Sequence, residues 1–229
     1  MTQPPDPAPT RILAAYQALV DAGELRPDDD QRAAAARLDR LAAALADYPP
    51  VPSAAVHVRR WRLAALFNWA GKDARPPRGV YLWGGVGRGK SMLMDLFFAH
   101  APLRAKRRVH FHAFMLDVHE AMHAFRNMSP SEKIAYGAAA GQHDPIVPVA
   151  RQIALSASLL CFDELHVSDV ADAGILGRLF AALVERGVIV VATSNRPPGD
   201  LYKDGLNRSI ILPFIALIER EWDVLGLNG

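Results

Sequence analysis

One stretch decides the fold of this chain: Gly84-Gly85-Val86-Gly87-Arg88-Gly89-Lys90-Ser91. It matches the phosphate-loop pattern G-x-x-x-x-G-K-[ST] in full, with a strand-like apolar run before it and a helical run from Met92 after it. Glycines let successive main-chain N–H groups point at anionic oxygens, and the N-terminus of the following helix adds positive potential. The stretch therefore predicts a loop that binds nucleotide phosphates, with contacts from residues 84–92.

Two side chains of this loop have predicted roles. Lys90 is placed to reach the β- and γ-phosphates, and the hydroxyl of Ser91 is placed to ligate a magnesium ion. The loop therefore predicts a nucleoside triphosphate and Mg²⁺ as ligands.

Two acids follow the apolar run Leu159-Leu160-Cys161-Phe162. Such a run predicts a buried strand that delivers Asp163 and Glu164 to its carboxyl end, where open α/β sheets place their sites. We predict that Asp163 holds the magnesium, usually through water, and that Glu164 polarises the attacking water. Acids are common at strand ends, so Asp163 and Glu164 are assigned to a nucleotide site only because a complete phosphate loop lies upstream.

Asn195 and Arg208 are two further catalytic candidates. Asn195 follows the apolar run 188–193 and is a candidate for orienting the lytic water; the alternative is a turn-forming asparagine before Pro197-Pro198. Arg208 is a candidate arginine finger, a residue that completes a neighbouring subunit's site and contributes roughly 10³–10⁵-fold in rate. Its position alone does not separate it from an ordinary surface arginine.

A competing motif is present at His119-Glu120-Ala121-Met122-His123, which satisfies H-E-x-x-H. On a helix both histidines share a face, as in a zinc peptidase. The same segment carries an apolar stripe typical of core packing, and no third ligand is marked downstream by a recognisable spacing. Zinc peptidase activity is therefore a remote alternative, and histidines at the domain surface or at a partner interface are the favoured interpretation.

Short apolar runs alternate with helical segments from residue 79 onward, which predicts an α/β P-loop fold with a five-stranded parallel sheet flanked by helices. The predicted strands are 79–83, 107–112, 159–162, 188–193 and 222–227. The predicted helices between them are 90–100, 114–126, 146–157, 170–186 and 214–220. Residues 127–145 show no clear period and are predicted to form a mobile insertion.

The N-terminal part of the chain is predicted to be helical, at 11–22, 31–46 and 55–70. A Pro-rich stretch at 48–52 predicts a linker. We therefore divide the chain into an N-terminal helical extension and linker (1–52) and a nucleotide-binding core (53–229). The helices at 11–46 fit two interpretations, an amphipathic cap packed on the core or an arm that recognises a partner.

The composition limits the class of protein. The 229 residues are 51% hydrophobic and 22% charged, which permits a buried core. A formal net charge of +2 gives no electrostatic case for nucleic acid as the main partner. The single cysteine, Cys161, fits a reducing compartment. Without a signal-peptide pattern at residues 1–10, or a transmembrane run of about 20 apolar residues, we expect a cytoplasmic protein, at most peripheral to a membrane.

Five segments of the chain resemble the ZapE-like branch of the AAA+ P-loop ATPases, a group that includes AFG-like and lactation-elevated-like proteins. The resemblance runs from about Tyr16 to the C-terminus. The segments are RGVYLWGGVGRGKSMLMDLFF, VHFHAFMLDVHEAMH, DPIVPVARQIA, LLCFDELHVSDVADAGILGRLF and ATSNRPPGDLYKDGLNR.

The resemblance implies an ATPase that binds ATP with Mg²⁺, assembles into a ring-like homo-oligomer and remodels a protein partner. Arg208 would serve the neighbouring subunit's site. The residues that would serve the subunit's own site are Lys90, Ser91, Asp163, Glu164 and Asn195. The resemblance also implies a role in bacterial cell division, at the division ring, and in mitochondrial protein quality control in eukaryotic relatives.

In this family a helical lid follows the fifth strand and covers the nucleotide. The sequence ends at Gly229, where the lid would begin, so we expect the lid to be absent from this chain. Four functions stay open: an ATP-hydrolysing remodelling protein, a nucleotide-binding interaction module that does not hydrolyse ATP because the lid is missing, a zinc peptidase, and a helicase-loading ATPase that acts on DNA. The modest net charge makes the last of these less attractive.

Overall fold

The computed structural model describes residues 11–46, 48 and 76–228. A parallel sheet of five strands forms its centre, in the order β2-β3-β4-β1-β5. The strands are β1 (Gly79–Trp83), β2 (Lys106–His110), β3 (Leu159–Asp163), β4 (Ile189–Ser194) and β5 (Trp222–Gly226). The predicted α/β fold with a five-stranded parallel sheet is confirmed, and each strand begins and ends within two residues of its predicted bounds.

Helices cover both faces of the sheet. In the described part of the chain they are α1 (Arg11–Asp21), α2 (Asp29–Ala46), α3 (Lys90–His100), α4 (Phe111–Asn127), α5 (Pro130–Tyr136), α6 (Ile146–Ser156), α7 (Val170–Glu185) and α8 (Leu212–Glu221). Two short 3₁₀ turns, Pro198–Asp200 and Arg208–Ile210, lie between β4 and α8. The helix predicted at 55–70 lies outside the described residues.

The strands are nearly continuous apolar runs because the sheet is buried on both faces. Successive side chains of a strand point to opposite faces, so Tyr81 joins the core under α4, α6, α7 and α8, while Val80 and Leu82 join the core under α1, α2 and α3. The first core is rich in aromatic contacts; the ring centroids of Phe180 and Phe214, for example, are 4.9 Å apart. With both faces covered, the carboxyl ends of the strands form the edge where functional loops meet.

Helices α1 and α2 pack on the core and on each other. The main-chain N–H groups of Ile12 and Leu13 donate to the buried carboxylate of Asp39 at 3.0 and 2.9 Å. These bonds satisfy donors at the start of α1 that have no partner within the helix. The packing agrees with the interpretation of these helices as a cap on the core. The domain boundary at residue 52 falls outside the described residues and stays a prediction.

An ion-pair network fastens α2 to the sheet. Arg37 donates to Asp223 at 2.5 Å and to the carbonyl of Arg78 at 3.0 Å, and Arg78 in turn donates to Asp223 at 2.7 Å. Burial by itself would raise the pKa of Asp223, but the guanidinium groups of Arg37 and Arg78 outweigh it and hold this pKa below its ordinary value. The network therefore depends on an ionised Asp223.

We predict that Asp223→Asn destabilises the chain by roughly 1 kcal/mol at pH 7, because a half-exposed charge network is screened by solvent. A carboxylate with a lowered pKa contributes stability above about pH 4, the ordinary aspartate value, and loses it as the pH falls through the lowered pKa. The difference between wild type and variant should therefore shrink in acid. Urea unfolding at pH 7 and pH 3.5 measures it, and an equal difference at both pH values would contradict the charge-based origin.

The boundary between β2 and α4 differs from the prediction. The strand was predicted at 107–112 and the helix from 114, but the strand ends at His110 and the helix begins at Phe111. In the sequence, Val109 and Phe111 continue the alternating apolar pattern of a strand, which led to the wrong prediction. In the structure, Phe111 is buried together with Phe114 and Met115 on one face of the helix.

The prediction of an irregular insertion at 127–145 was wrong for its middle, where α5 forms. The Ser129 hydroxyl accepts the main-chain N–H of Glu132 at 3.3 Å, and the Glu132 carboxylate accepts the N–H of Ser129 at 2.7 Å. Pro130 occupies the first turn, and Gly137 ends the helix in the left-handed conformation. This capping box is a local signal that the sequence already contained.

Candidate nucleotide-binding site

The phosphate loop connects β1 to α3 at the carboxyl edge of the sheet. The N–H of Gly84 donates to the carbonyl of Ser194 on β4 at 3.2 Å, and the N–H of Leu227 donates to the carbonyl of Trp83 at 2.7 Å. A Cβ atom on Gly84 would lie 2.4 Å from the carbonyl oxygen of Leu227. Only glycine therefore fits where the loop leaves the sheet.

The loop ends at Gly89, whose φ of 78° lies in the left-handed region that favours glycine. Helix α2 flanks this point: the side-chain amide of Gln31 donates to the carbonyl of Arg88 at 3.4 Å. A Cβ atom on Gly89 would approach that amide to 3.0 Å. The outer part of the loop, which includes Gly85, Val86 and Gly87, is exposed to solvent.

Lys90 is buried within the loop. Its ammonium donates to the carbonyls of Gly84 and Gly85, both at 2.7 Å. Burial lowers the pKa of Lys90 below its ordinary value, and the negative charge of Glu164 partly opposes this shift. Strand β4 pairs with both β1 and β3 in parallel, so the structure brings the carboxyl ends that carry the two motifs to one edge of the sheet. Ser91 and Met92 follow in the first turn of α3, with Ser91 exposed.

Asp163 ends β3 and is held by an arginine that the sequence analysis missed. Arg108 of β2 donates to both carboxylate oxygens of Asp163, at 2.7 and 3.1 Å, and also to Asp95 of α3. The hydrogen bond with Asp163, above all, raises the pKa of Arg108. Arg108 therefore links the strand that carries Asp163 to the helix that carries Ser91.

Glu164 follows Asp163 in an unusual backbone conformation. Its φ is 55°, and its N–H donates to the hydroxyl of Thr193 on β4 at 3.1 Å. The side chain is exposed at the sheet edge. Thr193 is the second residue at this edge that the sequence analysis missed.

The two remaining catalytic candidates lie beyond β4. Asn195 is exposed and follows Ser194, the residue whose carbonyl accepts the N–H of Gly84. Arg208 lies in the second 3₁₀ turn, where its guanidinium donates to the carbonyl of Gly199 at 2.5 Å. Asn195 is thus close to the start of the phosphate loop, and the roles of both residues stay predictions.

The H-E-x-x-H histidines of α4 contact separate partners. His119 forms a hydrogen bond with Asp172 at 2.7 Å, and His123 with Asn127 at 3.1 Å. Within residues 11–46, 48 and 76–228, no group of three histidine, cysteine or acidic side chains is arranged to hold a metal ion. The described chain therefore provides no third ligand to support a zinc site.

A protein-family model for AFG1-like ATPases matches residues 10–229. The chain belongs to the AFG1-like ATPase family. The resemblance to ZapE-like proteins is thereby confirmed.

Curated relatives of this AFG1-like chain match nearly all of it. Lactation elevated protein 1 homolog B of Danio rerio is 38% identical over 256 residues, covering 99% of this chain and 50% of the relative. Cell division protein ZapE of Escherichia coli strain K12 is 40% identical over 223 residues, covering 93% of this chain and 53% of the relative. The AFG1-like chain thus spans about half the length of the curated relatives it matches.

Solved structures support the fold. The crystal structure of DnaI is similar with a TM-score of 0.50 at 16% identity, over 89% of this chain and 88% of that chain. At this level of identity the likeness concerns the fold alone, and it agrees with the α/β P-loop fold of the AFG1-like chain. None of the helices in the described residues is long and apolar enough to span a lipid bilayer.

The residues at the sheet edge of the AFG1-like chain fit a magnesium ion. Ser91 and Asp163 offer oxygen atoms, the donors that Mg²⁺ prefers, and Mg²⁺ is commonly held by one or two carboxylates together with substrate phosphates. The bonds from Arg108 use one lone pair on each oxygen of Asp163. A second lone pair on each oxygen stays free to accept a metal-bound water.

Proposed function

We propose that this chain binds ATP with Mg²⁺ at the phosphate loop and hydrolyses it to ADP and phosphate. The main supporting observation is that two adjacent residues of β4 hold both motifs: the Thr193 hydroxyl accepts the N–H of Glu164, and the Ser194 carbonyl accepts the N–H of Gly84. Nucleotide hydrolysis requires a phosphate-binding loop and a water-activating group at one edge of the sheet. Membership of the AFG1-like ATPase family supports the same function.

The loop is built to attract a polyphosphate. Lys90 already lies inside it, so its ammonium exchanges two main-chain carbonyls for phosphate oxygens without a large movement. The turn at Gly89 leads into the N-terminus of α3, where free N–H groups and the helix dipole favour negative charge. The carbonyls that now accept from the ammonium are neutral, whereas phosphate oxygens carry negative charge and add Coulomb attraction, so phosphate should displace the carbonyls.

Glu164 is the residue that we propose as the base. Its carboxylate takes a proton from the water as the water oxygen attacks the γ-phosphorus and the bond to the β–γ bridging oxygen breaks. ADP leaves with the bridging oxygen, and the released phosphate carries the oxygen of the water. Ser91 and Asp163 would hold Mg²⁺, which would supply positive charge that offsets the negative charge of the phosphates. Asn195 is proposed to orient the same water from the end of β4.

We further propose that the chain assembles into a ring-like homo-oligomer, in which Arg208 completes the site of the neighbouring subunit. Hydrolysis would then drive a change of shape in a bound protein partner. The similarity to a relative named for cell division favours a partner at the bacterial division ring, which a cytoplasmic chain can reach.

Phosphate release from ATP by the purified chain, with Mg²⁺ and with excess EDTA, tests the proposed function. We expect Mg²⁺-dependent turnover with one ADP formed for each phosphate. Binding of ATP without phosphate release would instead identify a nucleotide-binding interaction module. A chain that neither binds nor hydrolyses ATP would refute the proposal.

Replacing Lys90 by alanine should weaken ATP binding by about 10- to 100-fold, because each hydrogen bond to a charged group is worth roughly 1.5–3 kcal/mol. Isothermal titration calorimetry measures the affinity. Lys203→Ala removes an exposed lysine paired with Asp200 and serves as the matched control, with unchanged affinity expected. Equal affinities for wild type and Lys90→Ala would place the phosphates elsewhere.

A further inference from the structure

The turn that carries Glu164 is held in a conformation that glutamate seldom adopts. Its φ of 55° lies in the left-handed region, where side chains other than those of glycine, asparagine and aspartate are uncommon. Such a residue costs free energy and persists only when its surroundings fix it, which is frequent at functional sites. The side chain of Glu164 is exposed to solvent, so we look for bonds to its main chain that hold this conformation.

Thr193 is the neighbour that holds it. The hydroxyl of Thr193 accepts the N–H of Glu164 at 3.1 Å, and its carbonyl accepts the N–H of Leu165 at 2.7 Å. Thr193 is only 2% exposed, so water cannot easily replace either bond. Two successive N–H groups of the turn therefore end on one buried residue of the adjacent strand.

The next residue of β4 continues the same attachment. The hydroxyl of Ser194 donates to the carbonyl of Leu165 at 2.8 Å. The carbonyl of Ser194 accepts the N–H of Gly84 at 3.2 Å, at the start of the phosphate loop. The end of β4 thus connects the Glu164 turn to the phosphate loop through main-chain atoms and the two buried hydroxyls of Thr193 and Ser194.

We propose that Thr193 is a positioning residue for hydrolysis: its hydroxyl fixes the left-handed backbone of Glu164 and thereby aims the carboxylate at the γ-phosphate side of the site. This inference rests on the proposed role of Glu164 as the base. Thr193 does not touch the nucleotide in this scheme. Its loss should therefore impair turnover and leave binding intact.

Two pairs of variants separate the hydroxyl from the volume of the side chain. Valine has the shape of threonine without the hydroxyl, and Thr193→Ser and Thr193→Ala differ from each other by a hydroxyl alone. We expect Thr193→Val to lower ATP turnover about 10- to 100-fold, since a misplacement of about 1 Å can cost a hundredfold. Turnover of Thr193→Ser should stay within about threefold of wild type. Turnover of Thr193→Ala should be lower than that of Thr193→Ser by about the same factor by which Thr193→Val is lower than wild type.

ATP affinity and thermal unfolding of each variant are measured beside turnover. An affinity that falls as much as turnover would mean that the phosphate loop has collapsed, which would overturn the positioning role. Turnover of Thr193→Val equal to wild type, or equal loss in Thr193→Ser and Thr193→Ala, would overturn it too. If Thr193→Val does not fold, the serine and alanine pair still decides.

Hydrogen exchange of the Glu164 amide, followed by NMR, gives a result that does not depend on catalysis. The Glu164 amide should exchange at least about tenfold faster in Thr193→Val than in wild type, because its hydrogen-bond acceptor is lost. The same difference is expected between Thr193→Ala and Thr193→Ser. If the wild type hydrolyses no ATP, the proposed function is refuted. The exchange rate of the Glu164 amide then still tests whether the Thr193 hydroxyl holds it. Unchanged exchange at Glu164 would overturn the inference even in an active enzyme.

Discussion

Replacing Glu164 by glutamine is expected to lower ATP turnover about a thousandfold while ATP stays bound. The amide keeps the size of the side chain but cannot take a proton from water. Because the carboxylate is exposed, the change removes no core packing. Removing a negative charge that acts on Lys90 should leave the affinity for an anionic nucleotide equal or higher. Phosphate release and calorimetry measure the two quantities separately.

Glu120→Gln is the matched control for this prediction. Glu120 is exposed on α4, and its loss should leave turnover within about twofold of wild type, as surface substitutions usually do. The same variant would abolish peptidase chemistry if the H-E-x-x-H motif acted as a zinc site. Equal and negligible ATP turnover in wild type and Glu164→Gln would instead favour a binding module.

The phosphate loop was predictable because its determinants are local. A glycine at position 84 is required by the close approach of Leu227, and a glycine at position 89 by a left-handed φ, and both appear at fixed places in one motif. The five strands were predictable for a similar reason, since a parallel sheet covered on both faces leaves continuous apolar runs such as 188–193. The determinants of helix α5 are equally local, since Ser129 and Glu132 form its capping box, although the predicted insertion did not take them into account.

Arg108 and Thr193 could not be found in the same way, because their partners are distant in sequence. Arg108 contacts Asp163 across 55 residues, and in the sequence it is one of three adjacent basic residues. Thr193 contacts Glu164 across 29 residues and looks like an ordinary β-branched strand residue. Only the order of the strands, β2-β3-β4, brings each of them beside an acid at the carboxyl end of β3.

The position of helices α1 and α2 could not be predicted for the same reason, because it depends on contacts between residues distant in sequence. An amphipathic pattern shows that a helix buries one face but does not identify what covers it. In the structure that face packs on α3 and the sheet, and Gln31 reaches the phosphate loop. Long-range contacts therefore decided the parts of the site that the sequence left open.

Replacing Arg208 by alanine should lower turnover by roughly 10³-fold in the assembled state, the lower end of the range for an arginine finger. To reach a neighbouring subunit, its guanidinium must exchange the carbonyl of Gly199 for phosphate oxygens. ATP affinity should change little, because the residue would act on the charge of the transition state. Arg220→Ala, which removes an exposed arginine paired with Glu221, is the control.

Mixing two inactive variants distinguishes a finger that acts on the neighbour from one that acts within its own chain. Subunits with Arg208→Ala keep an intact phosphate loop, and subunits with Lys90→Ala keep Arg208 but bind ATP weakly. If Arg208 serves the neighbour, mixed assemblies should recover turnover that neither variant shows alone, because each active site combines residues of two chains. Turnover in the mixture no higher than the sum of the separate variants would restrict Arg208 to its own subunit, where its bond to Gly199 would be structural.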